Sequence, residues 1–377
     1  MHLNRTVKAW LALWCAWLAV PAIITTVALT WQQRRLVRES MERHADRMDP
    51  RRNDAVSTPL DTTPPPGHES DVPVHVTVGM YVVRIPDLSI VGSSWSADFY
   101  IWFSWDGPAQ DPPDPATALN PGETFKLVNG EIASRTLMRR VDDGVHHYTL
   151  YRVLAHLTKS FNTARFPRDD HELTIVVEDQ GRHLHELQYI ADSARSEMSS
   201  RIEVSGYEIL PRQVVAKPHT YKTSLGDPTL PPSYRSTYSD FVFGIPLRRP
   251  TWGLFAKMFA ANYIAVALAF AAFLVKGAGE RLALTSTALF LAVMNGMSIT
   301  SLIPDTGRAT LADIINSMSY FAIGQAVIQS ILYYKVFGHG EGDRRVADAF
   351  DRLSLGLMPA LAVASNFAVL AAAAGVI

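Results

Sequence analysis

The stretch 282–303 reads LALTSTALFLAVMNGMSITSLI, opens after Glu280-Arg281 and exits at Pro304. It is long and apolar enough to cross a bilayer, which takes about 20 residues, yet Thr285, Ser286, Thr287, Asn295, Ser298, Thr300 and Ser301 interrupt it. A helical period of about 3.5 residues sets Ala283, Thr287, Phe290, Met294, Met297 or Ser298, and Ser301 on one face. That face is either wetted or packed on neighbouring helices, and the polar residues elsewhere on the helix leave both readings open. Asn295, at mid-span, reads as an interhelical hydrogen bonder.

Three similar runs flank it, at 258–275, 314–337 and 355–377. The gaps 276–281, 304–313 and 338–352 are short, which makes neighbours antiparallel and predicts a compact four-helix bundle. Lys276, Arg281, Lys335, Arg344, Arg345 and Arg352 fall on one side and Arg308 alone on the other. The positive-inside rule then puts the first side in the cytoplasm and everything before 251 outside it. A fifth run, 9–31, follows Arg5 and Lys8. Its apolar core exceeds the roughly 7–15 residues of a signal peptide and has no clean small-x-small site, so it reads as an uncleaved anchor, with a cleaved signal as the alternative. Arg34, Arg35 and Arg38 just beyond it oppose the orientation, which rests on the larger number of charges around the bundle.

Between these apolar ends the chain is polar. Residues 32–71 are charged, then proline-rich, and predict a helical extension followed by a linker, with no fixed fold from 49 to 69. Residues 72–249 predict a β-sandwich: candidate strands at 72–83, 96–105, 147–155, 173–178, 183–190, 207–215 and 238–247 are separated by Pro, Gly and Asp clusters. The single cysteine, Cys15, lies in the first apolar run, so this domain folds without a disulfide. A formal net charge of -1 gives no basic footprint for nucleic acid.

Read in order, four segments resemble the pentameric ligand-gated ion channel family, the Cys-loop receptors and their bacterial short-loop relatives. Phe99-Tyr100-Ile101-Trp102-Phe103-Ser104-Trp105-Asp106 is similar to the core strand that ends in Trp-x-Asp or Trp-Asp. Phe166-Pro167-Arg168-Asp169-Asp170-His171 resembles the signature loop Phe-Pro-Phe-Asp-x-Gln, with Arg168 and His171 departing from it. Lys159 and Leu173 stand where animal members have the loop's two cysteines, which bacterial members lack. Phe243-Gly244-Ile245-Pro246-Leu247-Arg248-Arg249-Pro250 is similar to the last strand before the first channel helix, and 280–304 to the pore helix. The run 258–275 lacks the central proline of most members, and few members carry a helix before the external domain.

The resemblance implies a homopentamer in the plasma membrane, the inner membrane of a bacterium, with the β domain outside and a small-molecule or ion ligand. Five copies of one helix make each residue a ring. Thr287 would then solvate ions, while Phe290 and Met294 would form a constriction that gates by dewetting. Glu280 would present five carboxylates at the inner mouth and favour cations, unless it pairs with Arg281 or Lys276. Asp305 would add an outer ring. Pro167, Asp169, Arg249 and the turn opening at Pro304 and Asp305 would carry gating, with Asp169 and Arg249 as an ion pair. Tyr221, Tyr234 and Tyr238, in the loop between the last two strands, would supply one wall of an aromatic box between two subunits that takes a cationic amine, although packing is the commoner role of such tyrosines. His183 and His185 sit two apart and suit a metal or proton sensing. No third ligand accompanies them at a fixed spacing, so no metal and no cofactor is expected, and solvated surface histidines are the plainer reading.

Two other classes stand beside the channel. A non-conducting membrane receptor would use the same ligand-binding domain. An enzyme would need a Gly-x-Ser-x-Gly, a His-Glu-x-x-His or a phosphate loop, none of which the sequence contains. Repeated helix groups, the mark of many transporters, are not apparent either.

Overall fold

The computed structural model describes residues 5–52, 58–65, 67–107, 119–228, 230–303, 309–337 and 341–373. The chain divides into two compact units: a β-rich one of residues 40–161 and 170–249, and a helical one of residues 1–39, 162–169 and 250–377.

The β-rich unit holds strands β1 (Val74–Ser89), β2 (Ser94–Asp106), β3 (Phe125–Leu127), β4 (Gly130–Asp142), β5 (His146–Thr158) and β6 (Asp170–Asp179). It continues with β7 (Leu187–Ala191), β8 (Glu197–Met198), β9 (Glu208–Ile209), β10 (Gln213–Thr220) and β11 (Thr237–Arg248), and α2 is the single turn Pro121–Thr124. One sheet runs β4-β5-β2-β1-β7, with β8 also on β1; the other runs β10-β11-β6-β3, with β9 on β11. Strand alternation decides which side is dry. Val76, Val78, Met80 and Val82 of β1 and Trp95, Ala97, Phe99, Ile101 and Phe103 of β2 point inward. They share one core with Phe125, Ile175, Val177, Phe241, Phe243 and Ile245 of the second sheet. Gly79 of β1 has no room for a side chain, because the Trp102 ring of β2 would stand 2.2 Å from its Cβ.

The strands expected at 183–190 and 207–215 are shorter and broken: 183–186 forms a turn before β7, and β9 and β10 replace the latter run. The proline-rich segment departs from its expectation more sharply. Thr58 is buried, and the Asp61 amide donates to Thr220 Oγ1 at 3.0 Å. Thr237 Oγ1 donates to the Asp61 carbonyl, and the Tyr234 hydroxyl to the Thr63 carbonyl at 3.3 Å. Hydroxyls of the second sheet and its loop thus satisfy the backbone of Asp61 and Thr63 in a segment whose prolines have no amide to donate.

The helical unit contains α1 (Arg5–Met48, cut between the units at residue 39), α3 (Thr251–Ala271), a 3₁₀ turn (Ala272–Leu274), α4 (Ala278–Thr300), α5 (Leu311–Phe337) and α6 (Glu341–Ala373). Among the described residues, five helices are long and apolar enough to cross a membrane. The last begins well before the expected 355, because its first turns carry Asp343, Arg344, Arg345 and Asp348 and so escape a search for apolar runs. Helix α1 belongs to this unit through Leu18, Trp14 Nε1 donating to Ser354 Oγ (3.0 Å) and Thr26 Oγ1 donating to Ser365 Oγ (2.8 Å).

Arg281 is 1 % exposed, a charge buried among the helices. Its guanidinium pairs with Asp351 of α6 (Nη1 to Oδ1 3.1 Å), lies 3.7 Å over the Tyr333 ring of α5, and donates to the carbonyls of Phe273 and Val275. Gln329 Nε2 donates to Asp351 Oδ1 at 3.0 Å.

Removing one partner of a buried pair strands the other charge, which costs about 3–5 kcal/mol. Asp351→Ala is therefore expected to lower the thermal unfolding temperature of the purified protein sharply, and the apolar pair Arg281→Met with Asp351→Leu to recover most of the loss. In the β-rich unit, Asp98 is buried between Arg152 (Nη2 to Oδ2 2.9 Å) and Arg84 (2.9 Å). The Arg152 hydrogen bond first, and the Arg84 bond next, hold its carboxyl below the ordinary value of 3.8. A depressed carboxylate stabilises fully above its unfolded value and ceases to as the pH falls through the folded one. Asp98→Asn should lower the unfolding temperature at neutral pH and bring the two proteins together in acid, as measured by melting curves across pH.

Candidate functional site

The rotation of α4 is legible in its burial. Arg281, Thr285, Ala288, Ala292, Gly296 and Ile299 are buried, at steps of three and four residues. Small side chains on this stripe let α5 approach: the Tyr320 hydroxyl would stand 2.0 Å from a Cβ on Gly296. The opposite face is uncovered. Glu280, Ala283, Thr287, Phe290, Met294, Met297, Ser298 and Ser301 are all exposed, Phe290 by 68 %. Polar groups occupy the ends of this face, and Leu289, Phe290, Val293, Met294 and Met297 its middle. Glu280 turns outward, away from the buried Arg281, and Lys276 is exposed as well. Pro304 and Asp305 lie outside the described residues.

The segment Asn162–Asp169 interrupts the β-rich sequence yet packs with the helices. Phe166 enters the core of Phe255, Phe259, Ile299 and Leu311. The first amides of α5, which lack intrahelical acceptors, donate instead to this segment: Leu311 N to the Ala164 carbonyl (2.9 Å) and Ala312 N to the Phe166 carbonyl (3.1 Å). Thr310 and Asp313 cap the same end reciprocally, and Arg165 Nη2 donates to the Ala373 carbonyl of α6 at 3.0 Å. The Phe166–Pro167 peptide is cis. Asp169 is buried in this segment, whereas Arg249 belongs to the β-rich unit, where its guanidinium lies 4.3 Å over the Tyr207 ring and donates to the Tyr207 hydroxyl.

The three tyrosines part company. Tyr234 holds the proline-rich segment, while Tyr221 and Tyr238 meet edge to face at 5.6 Å. Aromatic rings continue on both sides: His219 on Tyr221 (4.8 Å), and His183 (4.7 Å), His185 (5.6 Å) and His68 (5.1 Å) in succession beyond Tyr238. The position a cationic ligand would take is occupied by the chain itself. Lys126 Nζ lies 5.9 Å from the Tyr221 ring and 5.5 Å from the Tyr238 ring, and pairs with Glu178 at 2.8 Å. Strand register extends that pair into a charged rung, Lys217–Asp240–Glu178–Lys126, across β10, β11, β6 and β3. The Tyr221 hydroxyl donates to both Glu178 oxygens (3.0 and 3.2 Å), and burial, then the Glu178 charge, push its ionisation well up. Sequence reasoning missed Lys126 and Glu178. A β3–β6 pairing would have exposed them, but β3 is three residues long and carries no strand signal of its own.

No protein-family model matches the chain, and no curated protein matches it at meaningful similarity.

Lys126→Met would leave the fully buried Glu178 with the Tyr221 hydroxyl as its remaining side-chain donor among the bonds described here. The expected cost is about 1–3 kcal/mol, read as a lower unfolding temperature that Glu178→Gln in the same chain partly restores.

Proposed function

We propose that the chain is a subunit of a membrane-embedded, pentameric ligand-gated channel, permeable to cations, whose β-rich unit lies outside the cytoplasm. The observation that carries this reading is the uncovered face of α4. Its residues repeat with the helix, none is used by the chain's own core, and polar groups cap an apolar middle. Symmetric assembly turns such a face into stacked rings. In the proposed pore, Glu280 makes a carboxylate ring, Thr287 and Ser301 wet the ends, and Phe290 and Met294 form a narrow apolar zone that conducts only when widened enough to hydrate.

Gating in this proposal uses the chain's connectivity. Strand β6 carries Glu178 of the tyrosine cluster, and the residue before it, Asp169, ends the segment that caps α5. A ligand that shifts β6 therefore pulls on the α5 cap without further machinery. The ligand class is an amine or another cation that replaces Lys126 between Tyr221 and Tyr238 and takes over Glu178 as counter-ion.

The apolar middle of the α4 face also favours a second reading, a receptor that assembles through these residues and conducts nothing. Planar-bilayer recording of the purified protein separates the two. The channel reading expects cation-selective current, a reversal potential shifted toward lower selectivity in Glu280→Gln, and leak without ligand in Phe290→Ala. In a Cys15→Ser background, Thr287→Cys should be blocked by a charged thiol reagent and the buried Ala288→Cys should not. Intact oligomers that pass no current under pH, amine and calcium challenge would establish the receptor instead.

A further inference from the structure

We propose that His68, Asp71 and His185 form a binding site for a divalent transition metal of the zinc class, which fastens the segment between α1 and β1 to the β6–β7 turn. The ligand atoms of these three side chains lie within 4.8 Å of one another, and this is the one such group among the described residues. Two imidazoles and a carboxylate are a donor set that zinc accepts, with a fourth position left for water. Calcium and magnesium, which take oxygen ligands, are disfavoured by the nitrogens.

The three side chains are arranged rather than scattered. Backbone bonds His68 N to Pro65 O and Asp71 N to His68 O (both 3.1 Å) fold the segment so that His68 Nδ1 meets Asp71 Oδ2 at 2.7 Å. An ion bound by both side chains takes the place of this contact, with the Asp71 carboxylate and one ring nitrogen of His68 turning to the metal. His185 comes from the other side of the gap. The Leu184 amide on the Thr237 carbonyl (2.8 Å) ties its turn to β11, and the stacked ring of His183 supports it. Zinc needs its donors about 2.0–2.1 Å from the ion, so closing the site takes side-chain rotation of His68, which is half-exposed. His185 stacks on His183, and His183 on Tyr238, so one ring separates this ligand from the tyrosine cluster. The site itself does not depend on the channel reading.

The test uses the full chain in detergent after chelator treatment, with Co²⁺ and then Zn²⁺ as probes. One Co²⁺ per subunit should bind with the visible absorption of a nitrogen–oxygen site, and Zn²⁺ should displace it. His185→Ala and His68→Ala should each weaken binding at least 10-fold, and Zn²⁺ should raise the unfolding temperature of the wild type but not of these variants. The control His146→Ala removes the exposed His146–Asp106 pair (2.6 Å) on another part of the unit and should change nothing. Metal-free melting curves of the variants verify that they fold. Binding that survives His185→Ala, that is lost in His146→Ala, or that is absent at micromolar Co²⁺ in the wild type overturns the assignment. None of these results reports on conductance, so the site and the channel reading fail separately.

Discussion

A guanidinium buried among helices has no water to solvate it, and every one of its donors must find an acceptor in protein. Arg281 meets that demand with two carbonyls at the end of the α3 segment, a carboxylate on α6 and the face of an aromatic ring on α5. Three other parts of the helical unit are thereby committed to one residue of α4. The consequence for α4 is rotational. With Arg281 turned inward, residues three, four and seven positions on turn inward too, and the stripe Thr285, Ala288, Ala292, Gly296 follows. The face with Thr287, Phe290 and Met294 then has nowhere to go but outward. Neither Phe290 nor Met294 is exposed because of its own chemistry; the ion pair at the helix end sets both. Such a pair brings little net stability over an apolar replacement, so its value here lies in the setting it imposes on α4.

That setting explains how much of the sequence was legible. The outward face of α4 could be found by counting because a helix repeats regardless of its neighbours, and the strands with alternating apolar residues, such as β1 and β2, were legible for the same reason. Strand β4 was not. Its residues Arg135, Arg139, Arg140 and Asp142 are charged, it lies at the edge of its sheet, and nearly all of its side chains are exposed, so no dry face marks it. The proline-rich segment failed in the opposite direction. Composition argued for a free linker, but the bonds that hold Asp61 and Thr63 are made by their backbone carbonyls and amide to distant hydroxyls, and composition says nothing of those.

The candidate sites show the same limit. Residue types were readable, and neighbours were not. Tyr221 and Tyr238 meet ring to ring, while the Tyr234 hydroxyl bonds the Thr63 carbonyl instead. His185 meets two neighbours, His68 and Asp71, that lie far off in sequence. Segment 162–169 was picked out for the order of its aromatic, proline and aspartate, but its packing with the helices follows from Phe166, a large apolar ring that the helical core accepts, and from α5 amides that need carbonyls.

On the proposed reading of the tyrosine cluster as a ligand site, Lys126 narrows what it can bind. Glu178 is fully buried, paired with Lys126 and bonded by the Tyr221 hydroxyl, so any occupant of the ammonium's position must be positive or must bring a donor strong enough to replace it. An anion would face Glu178 and Asp240 on the same rung. A cation faces the electron-rich ring faces of Tyr221 and Tyr238 and a carboxylate already desolvated, a cost met when the protein folds and not when the ligand arrives. The lysine thus holds the site in the shape a cationic ligand needs. The affinity of such a ligand is set by how much better it fits than a tethered ammonium at high effective concentration. On the proposed channel reading, a weak agonist follows from this competition even if its contacts with the rings are good, because each binding event must first displace Lys126 into water.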